Sequence, residues 1–153
     1  ISDAGTLKRI DVSLVGGKNT PAFSVTQGSG QDLSNATATK LAFNTEVFDT
    51  DSAFDHSSNY RFTVPSGEAG KYFFYAQATL QATQDADANS IFFYKNGSSF
   101  QSTMNTNQYY DTSEISIVMD LSAGDYIEVY FEHNRGTTDD VANGRWYGFK
   151  LIT

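Results

Sequence analysis

The stretch that decides the fold is KYFFYAQATLQ, which runs from Lys71 to Gln81. Side chains alternate between the two faces of a β-strand, so residues two apart share a face. One face of this segment can form the interior of a β-sandwich; it carries Tyr72, Phe74, Ala76, Ala78 and Leu80. The opposite face carries Phe73 and Tyr75 before it turns polar at Gln77. Its apolar half predicts a second burial surface.

Short apolar runs recur along the chain, separated by Gly, Asn, Asp and Ser, which is typical of an antiparallel all-β domain. Asn96-Gly97 predicts a two-residue hairpin, and Ala123-Gly124-Asp125 predicts a tight reversal. The predicted strands are Phe23–Thr26, Lys40–Asn44, Arg61–Val64, Lys71–Gln81, Ser90–Lys95, Ser98–Met104, Ile115–Leu121, Tyr126–His133 and Trp146–Ile152.

The length of 153 residues fits one domain. We assign residues 18–153 to it, and residues 1–17 to a lead-in strand or linker that ends in Gly16-Gly17. No apolar run is long enough to span a bilayer, so membrane insertion is not expected. The chain begins with Ile1, as a fragment of a longer protein would.

The chain carries a formal charge of −8, which repels phosphates and disfavours nucleic-acid binding. It contains no Cys, which excludes disulfides, thiolate metal sites and a Cys nucleophile. The acidic, Lys-poor, Cys-free composition favours a bacterial or phage source.

More aromatic surface exists than one sandwich interior needs, because Ile91–Tyr94 and Tyr126–Phe131 repeat the two-faced pattern of Lys71–Gln81. Two interpretations remain open. These rings belong either to the interface of an obligate oligomer or to the ordinary apolar surface of a monomer.

Six short motifs follow one another in order: Pro21-Ala22-Phe23-Ser24-Val25; the aromatic and Asp spacing from Phe43 to Asp55; Phe62-Thr63-Val64-Pro65 with Gly70-Lys71-Tyr72; Tyr94-Lys95-Asn96-Gly97; Leu121-Ser122-Ala123-Gly124-Asp125; and Trp146-Tyr147-Gly148-Phe149. Together they resemble the C1q-like domains, which are related to the tumour necrosis factor fold. Asp49 stands where that family usually has Asn, and Ser66 to Ala69 lengthen one loop. There is no collagen repeat, and the Cys of many animal members is missing.

The resemblance implies a jelly-roll β-sandwich of about ten antiparallel strands, assembled as a homotrimer around an axis lined by aromatic side chains. On that basis we assign Phe73, Tyr75, Tyr126 and Phe149 to the trimer interface. Heads of this family bind ligands on exposed loops and flanks. We expect Tyr109 and Tyr110 to offer a stacking surface to a sugar.

Catalysis has little support in the sequence. His56 and His133 are the two histidines, and no nucleophile elbow, phosphate loop or zinc-protease helix is present. We interpret His133, at the end of an apolar strand, as a surface or edge histidine. The chain is therefore expected not to be an enzyme, although carboxylate-pair glycan cleavage stays open with 18 acidic residues.

Calcium is the metal that the Asp-rich and Asn-rich loops would hold, because it prefers oxygen ligands. Family members bind calcium near the trimer axis at a position that Asp111 matches, and Asp85 and Asp87 alternate in another loop. The competing interpretation of all three is an Asp that stabilises a local turn.

The hypothesis from sequence is thus a non-catalytic trimeric head that binds a cell-surface receptor or glycan, displayed extracellularly or on a virion fibre or spike. The alternatives are a structural trimerisation or capping domain without a ligand, and a glycan-cleaving enzyme.

Overall fold

The computed structural model describes residues 17–81, 88–106 and 112–151, together with the backbone of residues 2–3 and 6–7. Within these residues the secondary structure is β, with no helix. The strands are β1 (Ser2–Asp3), β2 (Thr6–Leu7), β3 (Ala22–Thr26), β4 (Gln31–Leu33), β5 (Thr39–Lys40), β6 (Thr45–Asp49), β7 (Phe54–Asp55), β8 (Arg61–Thr63), β9 (Gly70–Leu80), β10 (Asn89–Lys95), β11 (Ser98–Asn105), β12 (Thr112–Leu121), β13 (Tyr126–His133) and β14 (Asp139–Lys150).

Twelve strands form two antiparallel sheets of six, and β1 pairs with β2. The β9 sheet has the order β12-β9-β14-β3-β6, with β4 also pairing to β14. The β10 sheet has the order β11-β10-β13-β8-β7, with β5 also pairing to β13. The two sheets pack as a sandwich. The all-β jelly-roll prediction is confirmed, although short edge segments raise the strand count above ten.

The decisive stretch is an interior strand of the β9 sheet, where β9 pairs with β12 on one side and β14 on the other. The predicted core face is confirmed, because its five members are fully buried: Tyr72, Phe74, Ala76, Ala78 and Leu80. Pairing on both sides fixes the register of β9, and a slip of one residue would turn all five of these side chains to the outer face.

Trp146 occupies the middle of the core and is 0% exposed. It meets Phe23 edge to face, with ring centroids 5.2 Å apart, and meets Phe54 in the same way at 5.0 Å. Such edge-to-face pairs add stability beyond the area that they bury.

Two turns predicted from sequence are linked by side chains. Asn96 and Gly97 both have positive φ, at 52° and 78°, as a two-residue hairpin requires. Asn96 donates to Asp125 Oδ1 at 2.7 Å, and Lys95 lies 2.9 Å from the same carboxylate. The hydrogen bond from Asn96, with help from Lys95 and Ser122, lowers the pKa of Asp125 to about 2. The reversal at Gly124 leads from β12 to β13, so it crosses from one sheet to the other.

Two predicted strand boundaries were wrong. Thr39–Lys40 is strand but residues 41–44 are not, although Leu41 and Phe43 are buried. The N–H of Ala42 donates to the Gln31 side chain at 2.9 Å instead of joining a ladder.

The last strand begins at Asp139 rather than at Trp146. Its first half was missed because it contains Asn143-Gly144, which reads as a turn. In the structure Asn143 has φ 54° and the pair forms an irregularity in the β14–β9 ladder.

We predict that Gly148→Ala destabilises the fold by about 1–3 kcal/mol, the usual effect of overpacking a core. A Cβ at Gly148 would overlap the Phe74 ring and lie 2.9 Å from the Phe73 carbonyl oxygen. Urea denaturation measures the change. The double variant Gly148→Ala, Phe74→Leu should lose less stability than the sum of the losses of the two single variants, because the smaller side chain makes room for the new Cβ. Strict additivity would show that the Phe74 contact is not the cause.

Candidate functional site

The outer face of the β9 sheet carries an apolar surface, which we call the aromatic face: Phe48, Phe73, Tyr75, Val118, Tyr147 and Phe149. Strand register aligns its members in two rows. Val118, Phe73 and Phe149 are direct neighbours across β12, β9 and β14. In the next row Tyr75 is opposite Tyr147, and Phe48 reaches the row through Ser24.

The rings of the aromatic face pack in pairs. Phe73 and Phe149 have centroids 5.4 Å apart, and Tyr75 stacks on Tyr147 at 4.9 Å. Tyr147 is 38% exposed and Val118 is 54% exposed. A sheet face that presents stacked rings and aliphatic side chains to solvent is typical of a protein interface.

Polar groups border the aromatic face on one side. The Tyr75 hydroxyl donates to Glu114 Oε2 at 2.8 Å, and Glu114, Gln77 and Arg145 form the next row across the strands. Burial, reinforced by the hydrogen bond to Glu114, raises the pKa of Tyr75 to about 12. Tyr75 therefore stays neutral and donating over the whole ordinary pH range.

We predict that Glu114→Gln lowers the pKa of Tyr75 from about 12 toward its ordinary value of 10.0, because the carboxylate acceptor and its charge disappear. In the parent chain the stability contributed by neutral Tyr75 is complete below pH 10 and is lost as the pH rises toward 12, since the folded state holds this proton more tightly. NMR titration of tyrosine ring carbons measures the pKa. Glu132→Gln, on the other sheet, should leave it unchanged, and an unchanged value in Glu114→Gln would contradict the assignment.

A second exposed apolar surface lies on the edge strand β11. Phe100 is 53% exposed and Met104 is 66% exposed. Among the described strands β11 pairs with β10 and forms the end of the β10 sheet, beside β12. An edge strand of this length with apolar side chains is a natural site for another chain to pack.

The structure brings together three of the four predicted interface residues, namely Phe73, Tyr75 and Phe149. It separates Tyr126, which lies on β13 in the other sheet with the Arg61 guanidinium 4.3 Å above its ring. Tyr126 was grouped with the others because its strand shows the same two-faced pattern, and that pattern does not reveal which sheet a strand joins.

Sequence reasoning missed Tyr147, Val118 and Phe48 on the aromatic face. The signal for Tyr147 was present, because it alternates with Trp146 and Gly148 on the same strand as Phe149. Phe48 lies on an edge strand that is exposed on both faces and contains a bulge, so it shows no alternation.

The other predicted site residues are Tyr109, Tyr110, Asp85, Asp87 and Asp111, and they lie outside the described residues. Calcium binding and sugar stacking at these positions therefore stay predictions. Within residues 17–81, 88–106 and 112–151, no three His, Asp or Glu side chains cluster as a metal site requires.

Unlike the aromatic face, the outer face of the β10 sheet combines tyrosine rings with oppositely charged side chains. Tyr94 stacks on Tyr130 with centroids 3.9 Å apart. Between them and Arg61 lies Glu128, whose largely buried carboxylate accepts from Lys40 Nζ at 3.0 Å. Burial and the Glu128 charge raise the pKa of Tyr130.

His133 is not at the surface, and that interpretation was wrong. Its side chain is buried at the end of β13, and its Nε2 lies 3.0 Å from the Leu33 carbonyl oxygen. The pairing of β13 with β10 extends to His133, which lies opposite Asn89, so the strand keeps its alternation to its last residue. His133 therefore faces the core, as Phe131 does. A histidine closed off in the core has no access to a substrate.

The sandwich, its strand order and its aromatic face define a jelly roll of the C1q/TNF type. A family model of the C1q domain matches residues 22–149. The chain therefore belongs to the C1q domain family.

Solved structures share this fold at low sequence identity. The globular domain of zebrafish complement 1qA protein is 19% identical, with a TM-score of 0.66 over 87% of this chain and 98% of that one. PRD1 vertex protein P5 is 13% identical, with a TM-score of 0.67 over 88% and 99%. Eiger TNF from S. frugiperda is 12% identical, with a TM-score of 0.59 over 86% and 92%. No curated protein sequence matches the chain.

Among the described residues there is no helix with the length and apolar character needed to span a bilayer.

Proposed function

We propose that this domain is a non-catalytic homotrimeric head that binds a cell-surface receptor or glycan. It would be displayed extracellularly, on a secreted protein or on the fibre or spike of a virion. The observation that carries the assembly is the aromatic face, because six apolar side chains share one outer sheet surface, on which Val118 is 54% exposed and Phe48 is 47% exposed.

A closed ring of identical chains needs two different patches, since each copy offers one surface to the copy before it and another to the copy after it. The aromatic face is one such patch. The apolar side chains of Phe100 and Met104 on edge strand β11 supply the other. The two patches are distinct surfaces on different sheets, as a heterologous contact requires.

Two observations support a binding role for the surface that remains. The outer face of the β10 sheet combines tyrosines with Arg61, and these residue types dominate the energetic centres of protein interfaces. The fold is shared with a virion vertex protein, which supports display at a particle surface.

The oligomeric state is tested by light scattering on the intact chain. A trimer should have about three times the 16.8 kDa mass of the monomer at micromolar concentration. A particle of one chain mass would contradict the assembly.

Binding is tested by applying the labelled trimer to a glycan array and to candidate host cells. Retention on either supports a receptor-binding head. A trimer that binds neither, and whose deletion causes misassembly of its parent fibre, would favour the structural capping role instead. Release of new reducing ends from a glycan would show that the domain is an enzyme.

A further inference from the structure

We infer that a cleft lined by the paired strands β7 and β8 and by the segments that flank them is a carbohydrate subsite that takes one neutral sugar ring; this inference rests on the proposed binding function. The cleft has a volume of about 330 Å³, at the lower end of the range for small-ligand sites. It lies at the edge of the β10 sheet opposite β11, away from the aromatic face.

The floor and the rim of the cleft differ in character. Ala53, Phe54 and Val64 are buried and provide an apolar floor. Asp51, Asp55 and Arg61 lie around it and provide charged groups of both signs. A few convergent polar groups above an apolar floor suit a ligand with an apolar C–H face and hydroxyls at its edges.

The loop that joins β7 to β8, next to the cleft, is held in a fixed shape by Asp55. Its carboxylate accepts six hydrogen bonds from the backbone N–H groups and side chains of Ser57, Ser58 and Asn59. These bonds, with those of Ser58 the strongest, hold the pKa of Asp55 well below the ordinary carboxyl value. Tyr60 and Ser52 have positive φ values of 47° and 53°, an arrangement that bulky residues adopt at a cost and that concentrates at ligand sites.

The charges select a neutral polar ligand. The Arg61 guanidinium lies 4.3 Å above the Tyr126 ring, which orients it, and its N–H groups can donate to a ligand in the cleft. A phosphate or an acidic sugar would meet Arg61 but would be repelled by Asp51 and Asp55. A simple amine would meet the carboxylates but would be repelled by Arg61. Vicinal hydroxyls can accept from Arg61 and donate to Asp51 at the same time.

The surface beside the cleft can continue the same recognition. Arg61, Glu128 and Tyr94 are consecutive neighbours across β8, β13 and β10, so Tyr94 lies about 10 Å from Arg61 at the spacing of adjacent strands. Tyr94 and Tyr130 form a stacked pair there. A second or third sugar of an oligosaccharide would reach these rings, and this continuity favours a glycan over a free amino acid.

Saturation-transfer NMR on the full chain tests the inference. The probes are the methyl glycosides of glucose, galactose, mannose and N-acetylglucosamine, with N-acetylneuraminic acid and free lysine as charged comparisons. We expect at least one neutral glycoside to bind and the charged probes not to bind. Binding of N-acetylneuraminic acid or lysine alone would overturn the neutral assignment.

Two variants place the binding in the cleft. Asp51→Ala and Arg61→Ala should each weaken the binding of the neutral sugar by about tenfold or more, because a hydrogen bond to a charged group is lost. Asp32→Ala, which removes an exposed carboxylate from β4, should leave binding unchanged. Circular dichroism and light scattering confirm that fold and assembly are retained. If Asp51→Ala, Arg61→Ala and Asp32→Ala each bind an array glycan as well as the parent chain does, the head binds glycan at a site other than the cleft. If the parent chain binds no glycan or cell, the binding function itself fails.

Discussion

Tyr147→Lys should convert the proposed trimer into monomers at micromolar concentration. The change places an ammonium group on the aromatic face, beside the Tyr75 ring with which Tyr147 stacks at 4.9 Å. Burying that charge against a neighbouring chain without a partner is strongly unfavourable. Loss of a central aromatic at an interface costs about 2 kcal/mol or more, and the cost recurs at each of the three equivalent contacts. Light scattering and sedimentation measure the result.

A matched control is available on the opposite sheet. Tyr130 is also a half-buried outer-face tyrosine that stacks on another tyrosine, Tyr94. Tyr130→Lys introduces the same charge on the same kind of strand, and it should leave the mass of the particle unchanged. If both variants dissociate, the aromatic face is not the specific interface. If neither does, assembly does not use this face.

Trp146→Ala should be the most destabilising single change in the core, lowering the free energy of unfolding by about 3–5 kcal/mol. Trp146 is fully buried, and its ring meets Phe23, Phe43, Phe54 and Phe93. These partners come from both sheets, so a cavity there would loosen the contact between the sheets. The loss is a large fraction of the 5–15 kcal/mol that a typical domain possesses.

The control for this change is the preceding residue. Arg145 lies on the same strand with its side chain on the exposed outer face, so Arg145→Ala should shift the denaturant midpoint very little. Urea unfolding, followed by circular dichroism at fixed protein concentration, compares the variants. A loss for Trp146→Ala no larger than that for Arg145→Ala would show that the sheets do not depend on the central indole.

The outer faces of the two sheets differ in chemical character, and this difference suits them to different roles. The outer face of the β9 sheet is apolar with charges at its border, which suits permanent contact with another copy of the chain. The outer face of the β10 sheet mixes tyrosines with paired charges, which suits a surface that stays in water until a ligand arrives. The proposed assembly and the proposed ligand binding should therefore be separable, and we expect Tyr147→Lys to disrupt the first and Arg61→Ala the second.

Local patterns predicted much of the fold, and the reason is visible in particular residues. Alternation in Lys71–Gln81 identified which side chains of β9 are buried, because each central strand has one face on the core. Asn96-Gly97 identified the β10–β11 hairpin, because that turn needs two residues with positive φ. Both features depend on residues that are close in sequence, so they can be predicted without knowing which strands pair.

Edges and irregular segments were beyond sequence reasoning. The missed strands β4, β6 and β7 have two to five residues each, and β6 shows no buried face because a bulge interrupts it. Leu41 and Phe43 looked like strand residues because they are apolar at alternate positions. In the structure the Leu41 N–H donates to the Val129 carbonyl oxygen, and the Ala42 N–H donates to the Gln31 side chain instead of joining a strand ladder.

The sequence by itself determined that this protein is an all-β sandwich of C1q type with more apolar surface than one core can hold. Only the tertiary structure decided where that surface lies, since strand register brings Val118, Phe73 and Phe149 into one row and assigns Tyr126 to the opposite sheet. The cleft under Arg61 was likewise invisible in the sequence, because its lining comes from a loop and two short strands whose side chains converge through packing. A repeating pattern records which face of a strand is apolar, whereas the pairing of distant strands decides which faces become one surface.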